Sequence, residues 1–230
     1  MTGIQSTGKS QSILIIGATG RTGLETLRHF AKHQSNPTIH AFCRDPTKLD
    51  TADKALCTSI FKGDARISAY LERTLAETRA EVVVVSVGNG DSGKKSDVRT
   101  ASAKALVEVL KKPQYRRVYA VVVSSAGAGN SRIIVGGGLG KLISFHLRNV
   151  LADHTGQEAA FYSLRNRTTV VRATYLTDNK ATGKLSYFED RVKSPTIKTD
   201  RADLANWIVK EVCGGASPVR GRVVNVTGAK

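Results

Sequence analysis

Acidic residues are scarce in this chain: 19 Asp and Glu stand against 35 Lys and Arg among 230 residues, a formal net charge of +16. That imbalance makes nucleic acid, an anionic membrane and an anionic small molecule the partner classes to weigh. Cysteine is scarcer still. Cys43, Cys57 and Cys213 are an odd set with no C-x-x-C spacing, which suggests neither a disulfide framework nor a zinc knuckle, and no metal site is expected. The opening MTGIQSTGKSQS lacks the apolar segment of a secretory signal, and no run approaches the ~20 apolar residues that cross a bilayer. A cytoplasmic protein without a membrane partner is the expectation. Aromatics make up 6% of the chain, and no stacking platform or nucleic-acid-binding module accompanies the charge, so nucleic acid is not an expected partner either.

What is present is a globular composition, 40% hydrophobic and 23% charged, long enough to bury one sizeable core. Residues 1–12 are polar, without a hydrophobic period, and are expected to form a disordered tail; residues 13–230 read as one domain. Ile13–Gly17, Thr38–Cys43, Ala55–Phe61, Glu81–Gly88, Arg117–Ser125 and Thr168–Ala173 are short apolar runs rich in β-branched residues. Strands hydrophobic on both faces belong to a parallel sheet covered by helices. Helical spacing fills the intervals at Thr22–His33, Ile67–Thr78, Asp97–Lys111 and Lys141–Leu164, with a last helix at Asp203–Val212 and a last strand at Arg222–Val226. Repeated strand and helix predict a doubly wound α/β sheet with helices on both faces.

Two glycine motifs lie near the start. Gly3 to Ser10 reads GIQSTGKS and fits the P-loop pattern, but the strand that should lead into such a loop comes after it. Gly17-Ala18-Thr19-Gly20-Arg21-Thr22-Gly23 instead follows the first strand and opens the first helix, the context a dinucleotide fingerprint requires. Gly17 permits the tight turn, Gly20 lets the backbone approach a pyrophosphate, and Gly23 lets helix and strand pack closely. The free amides of the helix N-terminus would hold the phosphates. The choice of dinucleotide falls at the end of the second strand, Cys43-Arg44-Asp45-Pro46-Thr47-Lys48. Arg44 offers a planar fork for the 2′-phosphate of NADP and Lys48 a second charge. Asp45 is the competing NAD candidate, but an Asp before Pro is more simply a helix N-cap.

GATGRTG, CRDPTK, KGDAR, VVVVSVG, VVVSSAG and TDRADLANWIV together resemble the NmrA-like group of atypical short-chain dehydrogenase/reductases. The likeness spans Ile13 to Val226 and is nearest to the biliverdin-IXβ reductase/flavin reductase set and small fungal oxidoreductases. The resemblance implies a Rossmann-like domain binding NADP, with a substrate crevice built by its C-terminal part. It implies that Thr19, Gly20, Arg21 and Thr22 touch the phosphates and that Arg44 and Lys48 hold the 2′-phosphate. Asp64 and Ala65 would flank the adenine, Ser86, Val87 and Gly88 the nicotinamide ribose, and Ala173 and Thr174 would approach the nicotinamide.

The chemistry departs from the usual pattern. Short-chain dehydrogenases activate a carbonyl with Tyr-x-x-x-Lys, yet no tyrosine here has a lysine four residues on; Tyr115 and Tyr162 are followed at that spacing by Tyr119 and Asn166. In the resembled reductases protons come from solvent or a nearby hydroxyl. Ser125 and Ser124 occupy the active-site serine position, where they would take part in the chemistry or merely satisfy loop amides. Asp153 and His154 are candidates for a proton relay, or for a plain surface pair. Glu158, one turn on, would orient the imidazole or serve as helix polarity. Tyr162 is a candidate substrate contact or a rim residue.

No acid occurs between Glu108 and Asp153, while Lys111, Lys112, Arg116, Arg117, Arg132, Lys141 and Arg148 do. This stretch includes Ile133–Gly140, which would rim the crevice and attract an anionic substrate; a solvated basic surface is the alternative. Net charge by segment is +3, +3, +5 and +5 over residues 1–60, 61–115, 116–170 and 171–230, which is too even for a polyanion-binding tail. The expected function is an NADPH-dependent reductase of a planar, conjugated, anionic small molecule, acting as a monomer or weak dimer. Two other readings are a non-catalytic NADP-binding regulator and a scaffold redirected to non-redox isomerisation or cyclisation.

Overall fold

The β-branched runs fold as strands because a chain segment apolar on both faces is stable only between two helical layers. The computed structural model describes residues 10–90, 94–132, 134, 139–214 and 217–229. Its first half runs β1 (Ser12–Ile16), α1 (Arg21–Ala31), β2 (Thr38–Cys43), α2 (Thr51–Ala55), β3 (Ser59–Lys62), α3 (Ser68–Thr78), β4 (Val82–Val85) and α4 (Val98–Leu110). The second half runs β5 (Tyr119–Ser125), α5 (Leu139–His146), α6 (Arg148–Phe161), β6 (Thr168–Ala173), β7 (Tyr175–Thr177), β8 (Leu185–Phe188), β9 (Lys198–Asp200), α7 (Arg201–Cys213) and β10 (Val223–Gly228).

Among the described residues the main sheet has eight strands in the order β3-β2-β1-β4-β5-β6-β10-β8, parallel except for the antiparallel edge strand β8. The alternation of side chains along β1 and β4 splits the core in two. Leu14, Ile16, Val83 and Val85 pack with Leu71, Leu75, Leu106 and Phe161 on one face. Ile13, Ile15, Val82 and Val84 pack with Leu27, Phe30, Leu204 and Ile208 on the other. Each such side chain, removed from water, stabilises the fold by ~1.5–3 kcal/mol. The expected Rossmann-like sheet with helices on both faces is therefore what the chain forms.

Four local expectations need correction. The ordered chain begins before Ile13: Ser12 is in β1, Gln11 accepts a hydrogen bond from the Thr38 amide at 2.9 Å, and the Ser10 hydroxyl donates to the Asn36 carbonyl. The rest of the expected tail, with Gly3 to Lys9 of the P-loop-like segment, lies outside the described residues. The run from Ala55 to Phe61 is not one strand, because Asp50 caps α2 by accepting from the Asp53 amide at 2.7 Å and β3 starts only at Ser59. The single helix expected over Lys141–Leu164 is broken at Leu147, whose backbone (φ −89°, ψ 5°) leaves the helical region between α5 and α6; a 3₁₀ turn follows at Tyr162–Arg167. The short strands β7, β8 and β9 were not expected, since each is three or four residues long and pairs through distant partners.

Candidate functional site

Strand order reverses between β1 and β4, so the connections leave in opposite directions and open a crevice beyond the carboxyl ends of the strands. A cavity of about 1370 Å³ lies there, running from Gly20–Thr22 past Ser86–Gly88 to Ser124, Ser125 and Ala173. Single small-molecule sites span ~300–1,000 Å³, so this one has room for a dinucleotide and a second molecule.

The glycine turn is explained by contacts. Gly17 has φ +87°, and a Cβ on it would collide with the Ser86 carbonyl. A Cβ on Gly23 would strike the Gly17 carbonyl, so α1 packs against the turn only without a side chain there. Gly20 is different: its nearest obstacle is 3.3 Å away and the residue faces the cavity. As N-cap of α1 it brings no side-chain cap to the start of the helix, the end that favours an anion. Arg21 and Thr22 line the same wall, whereas Thr19 is not among the lining residues.

At the end of β2, pairing with β3 places Cys43 opposite Lys62 and sets Arg44 near Asp64. Arg44 and Lys48 are exposed. Asp45 accepts hydrogen bonds from the Thr47 amide at 3.1 Å and hydroxyl at 2.5 Å, capping the 3₁₀ turn at Pro46–Lys48. It is the N-cap expected from its sequence context. Asp64 forks with Arg66 at 2.5 Å, which holds its carboxyl down at about 2. Ala65 is buried beside it.

At the other end Ser124 and Ser125 close β5 and line the cavity. The Ser124 hydroxyl donates to Glu158 at 2.6 Å, and Ser125 donates to the Ala126 carbonyl at 3.1 Å. Glu158 does not orient His154. It forms a two-point pair with Arg172, from Nε at 2.9 Å and Nη2 at 2.7 Å. Arg172 faces Ser124 across β6 and also holds Asp190 and Asn130. Gly129 allows this network, because a Cβ there would meet both Arg172 and Glu158.

The Asp153–His154 relay is not formed. The Asp153 carboxylate turns onto the start of α4, accepting from the amides of Arg99 at 3.1 Å and Thr100 at 2.9 Å. His154 lines the cavity and meets Gln157 at 3.3 Å. Burial, and then the neighbouring Arg99 charge, push its imidazole down to about 3. Ala173 and Thr174 reach the cavity as expected, and the Thr174 hydroxyl is tied to Thr199 and Thr227. Tyr162 is 68% exposed, stacks under Arg165 and does not line the cavity.

Sequence reasoning missed Arg99, Arg172, Asp178 and Arg201. A charged residue inside the apolar strand TTVVRA was a readable signal for Arg172; the others carried none. Asp178 bridges Arg21 at 2.9 Å and Arg201 at 2.6 Å across the mouth of the phosphate end. Against the desolvation that would raise it, those two guanidinium groups hold its carboxyl below the usual range. The basic rim also needs correction. Of the seven bases in the acid-free stretch only Arg132 lines the cavity; the other lining cations, Arg21, Arg99, Lys198 and Arg201, come from elsewhere. Lys112 is taken by Glu72, and Arg148 stacks on Phe145.

Residues 17–212 match the model of the NAD(P)H-binding family. Solved structures share the fold at low identity. The oxidoreductase ylbE from Lactococcus lactis superposes with a TM-score of 0.70 at 18% identity, over 95% of this chain and 91% of that one. A short-chain dehydrogenase/reductase from Veillonella parvula in complex with NADP gives 0.69 at 17%, over 95% of each chain. ChuY, an anaerobilin reductase from Escherichia coli O157:H7, gives 0.70 at 17%, over 95% and 97%. No curated protein sequence matches.

Proposed function

The chain belongs to the NAD(P)H-binding family and fits the atypical short-chain dehydrogenase/reductase group that its motifs resemble; on that premise we propose that it is an NADPH-dependent reductase of a planar conjugated small molecule. The observation that carries this reading is the cavity itself. It joins the start of α1, which has no side-chain cap, behind a collision-limited glycine turn to apolar side chains of Leu142, Ile143, Leu147 and Val150.

The residues present fit the cofactor. Gly20, Arg21 and Thr22 would hold the pyrophosphate, Arg44 and Lys48 the 2′-phosphate, and Ser86 to Gly88 with Ala173 and Thr174 the nicotinamide end. Asp45 caps the 3₁₀ turn through Oδ1, accepting from the Thr47 amide and hydroxyl, a role that competes with ribose recognition. When bound, NADPH supplies a hydride. The chain's own groups orient and exclude water. The Ser124 hydroxyl donates its hydrogen bond to Glu158, itself paired with Arg172, so this hydroxyl offers a lone pair to the acceptor rather than a proton. His154 is neutral and likewise holds no proton to spare beyond its one N–H. Protons for the reduced product therefore come from solvent, and rate enhancement rests on positioning.

The test is NADPH and NADH oxidation with a panel of flavins, quinones and biliverdin. Steady turnover with at least one acceptor, faster with NADPH, is expected. Tight NADP(H) binding with no turnover on any acceptor favours a non-catalytic regulator, and equal affinity for the two cofactors removes the NADP assignment.

A further inference from the structure

Two guanidinium groups are buried beside the reacting end of the cleft, and they are satisfied to very different degrees. Arg172, 3% exposed, has two carboxylates and an amide oxygen: Glu158, Asp190 at 3.1 Å and Asn130 at 2.9 Å. Arg99, 8% exposed, has one carboxylate in reach, Asp153, approached through Nη1 alone at 3.3 Å. That carboxylate already accepts from the Arg99 and Thr100 amides. The Nε of Arg99 has no partner at all. Leaving a buried cation short of acceptors is costly.

The missing acceptor has to come from the cavity. Arg99 lines it, and its Nη2 lies against Gly88, where a Cβ would come within 3.0 Å. Any side chain at position 88 would therefore crowd the guanidinium. Among the described lining residues the one carboxylate is Asp178, and both its oxygens are taken by Arg21 and Arg201. The same cavity is lined by the apolar side chains of Ile143, Leu147, Val150, Phe188 and Ile197.

We propose that Arg99 is the anchor for a carboxylate carried by the acceptor, so that the substrate is a planar conjugated acid with its rings on the apolar wall and its carboxylate on the Arg99 guanidinium. A second carboxylate would give Arg99 the coordination Arg172 already has. A monoanion suits the site better than a phosphate dianion, because Asp153 already offsets part of the guanidinium charge and a second negative charge would be buried without compensation. This inference deepens the reductase reading and rests on it for the presence of an acceptor in the cavity.

The test is calorimetric titration of the full chain, with and without saturating NADP⁺, using anthraquinone-2-carboxylate and anthraquinone-2-carboxamide. With NADP⁺ bound, the carboxylate is expected to bind ~10–100-fold tighter than the amide, the value of a charge-assisted hydrogen bond. In Arg99→Gln the two probes should bind within about threefold of each other, and Arg99→Lys should keep part of the preference. Circular dichroism checks that each variant is folded; should Arg99→Gln unfold, the comparison passes to Arg99→Lys against Arg132→Gln. Loss of the preference in Arg132→Gln with retention in Arg99→Lys assigns it to the rim and overturns the proposal. So do equal affinities in the parent protein, retention in folded Arg99→Gln, disappearance of the preference on adding NADP⁺, which would mean that the cofactor occupies Arg99, and failure of both probes to bind. Preferential binding without NADPH oxidation on any acceptor would leave the anchor standing and remove the reductase reading. NADPH oxidation indifferent to the carboxylate would do the reverse.

Discussion

His154 and Arg44 show how differently two charged-type residues behave when one is buried and the other exposed. With its imidazole pushed down to about 3 by burial and by Arg99, His154 is neutral throughout the physiological range. The unfolded chain takes up that proton near pH 6.5. The stability linked to His154 is therefore complete above pH 6.5 and is lost as pH falls from there towards 3. Denaturant titrations at pH 7.5 and 4.5 should show the parent protein losing on the order of 2 kcal/mol more than His154→Gln. The pH profile of turnover should carry no inflection near 6.5 from this residue. Arg44, exposed just after β2, is the residue we propose for the 2′-phosphate. Arg44→Ala should raise the NADPH dissociation constant ~10–150-fold, the loss of ~1.5–3 kcal/mol from a charged hydrogen bond, and leave NADH binding unchanged by calorimetry. Both residues were legible as candidates from their positions in the chain. Their states were not, because ionisation depends on what surrounds a group and not on its neighbours in sequence.

In the β1–turn–α1 unit the spacing of the glycines has a physical reason in the contacts they make, although Thr19 does not line the cavity. Gly17 and Gly23 are each required by a collision, and at Gly20 a Cβ would sit 3.3 Å from the Gly17 carbonyl oxygen. Gly23→Ala should cost ~1–3 kcal/mol, because both colliding atoms are backbone and the helix cannot step aside cheaply. A thermal melt should register ~2–4 °C for each kcal/mol lost, with weakened NADPH binding alongside. The α5–α6 segment is the opposite case. Its hydrophobic period is continuous across Leu147, so periodicity reads one helix; only the backbone angles at that residue divide it and turn Leu142, Ile143 and Val150 towards the cavity. Likewise the spacing of Asp153, His154 and Glu158 correctly puts them on one helix, but what each carboxylate meets lies on another element: α4 for Asp153, β6 for Glu158.

Across the whole molecule the basic excess remains spread out, and the structure narrows its functional share to a few positions. Arg21, Arg99, Arg132 and the neighbouring pair Lys198 and Arg201 converge on the cavity from four separate places in the chain, with Asp178 as their one acidic neighbour among the described lining residues. No count along the sequence would assemble that group. Strand and helix alternation, the glycine fingerprint, the capping Asp45 and the missing Tyr-x-x-x-Lys pair are all local: they follow from side-chain periods, turn stereochemistry and spacings of a few residues, and they suffice for a Rossmann-like sheet and a dinucleotide site. The ion pairs around the cavity join residues on different elements, Arg99 with Asp153, Glu158 with Arg172, and Arg21 with Asp178. Electrostatic partners are chosen by distance and burial in three dimensions, and those exist only after the crossovers have brought α4, α6, β6 and the loop beyond β7 to the same end of the sheet.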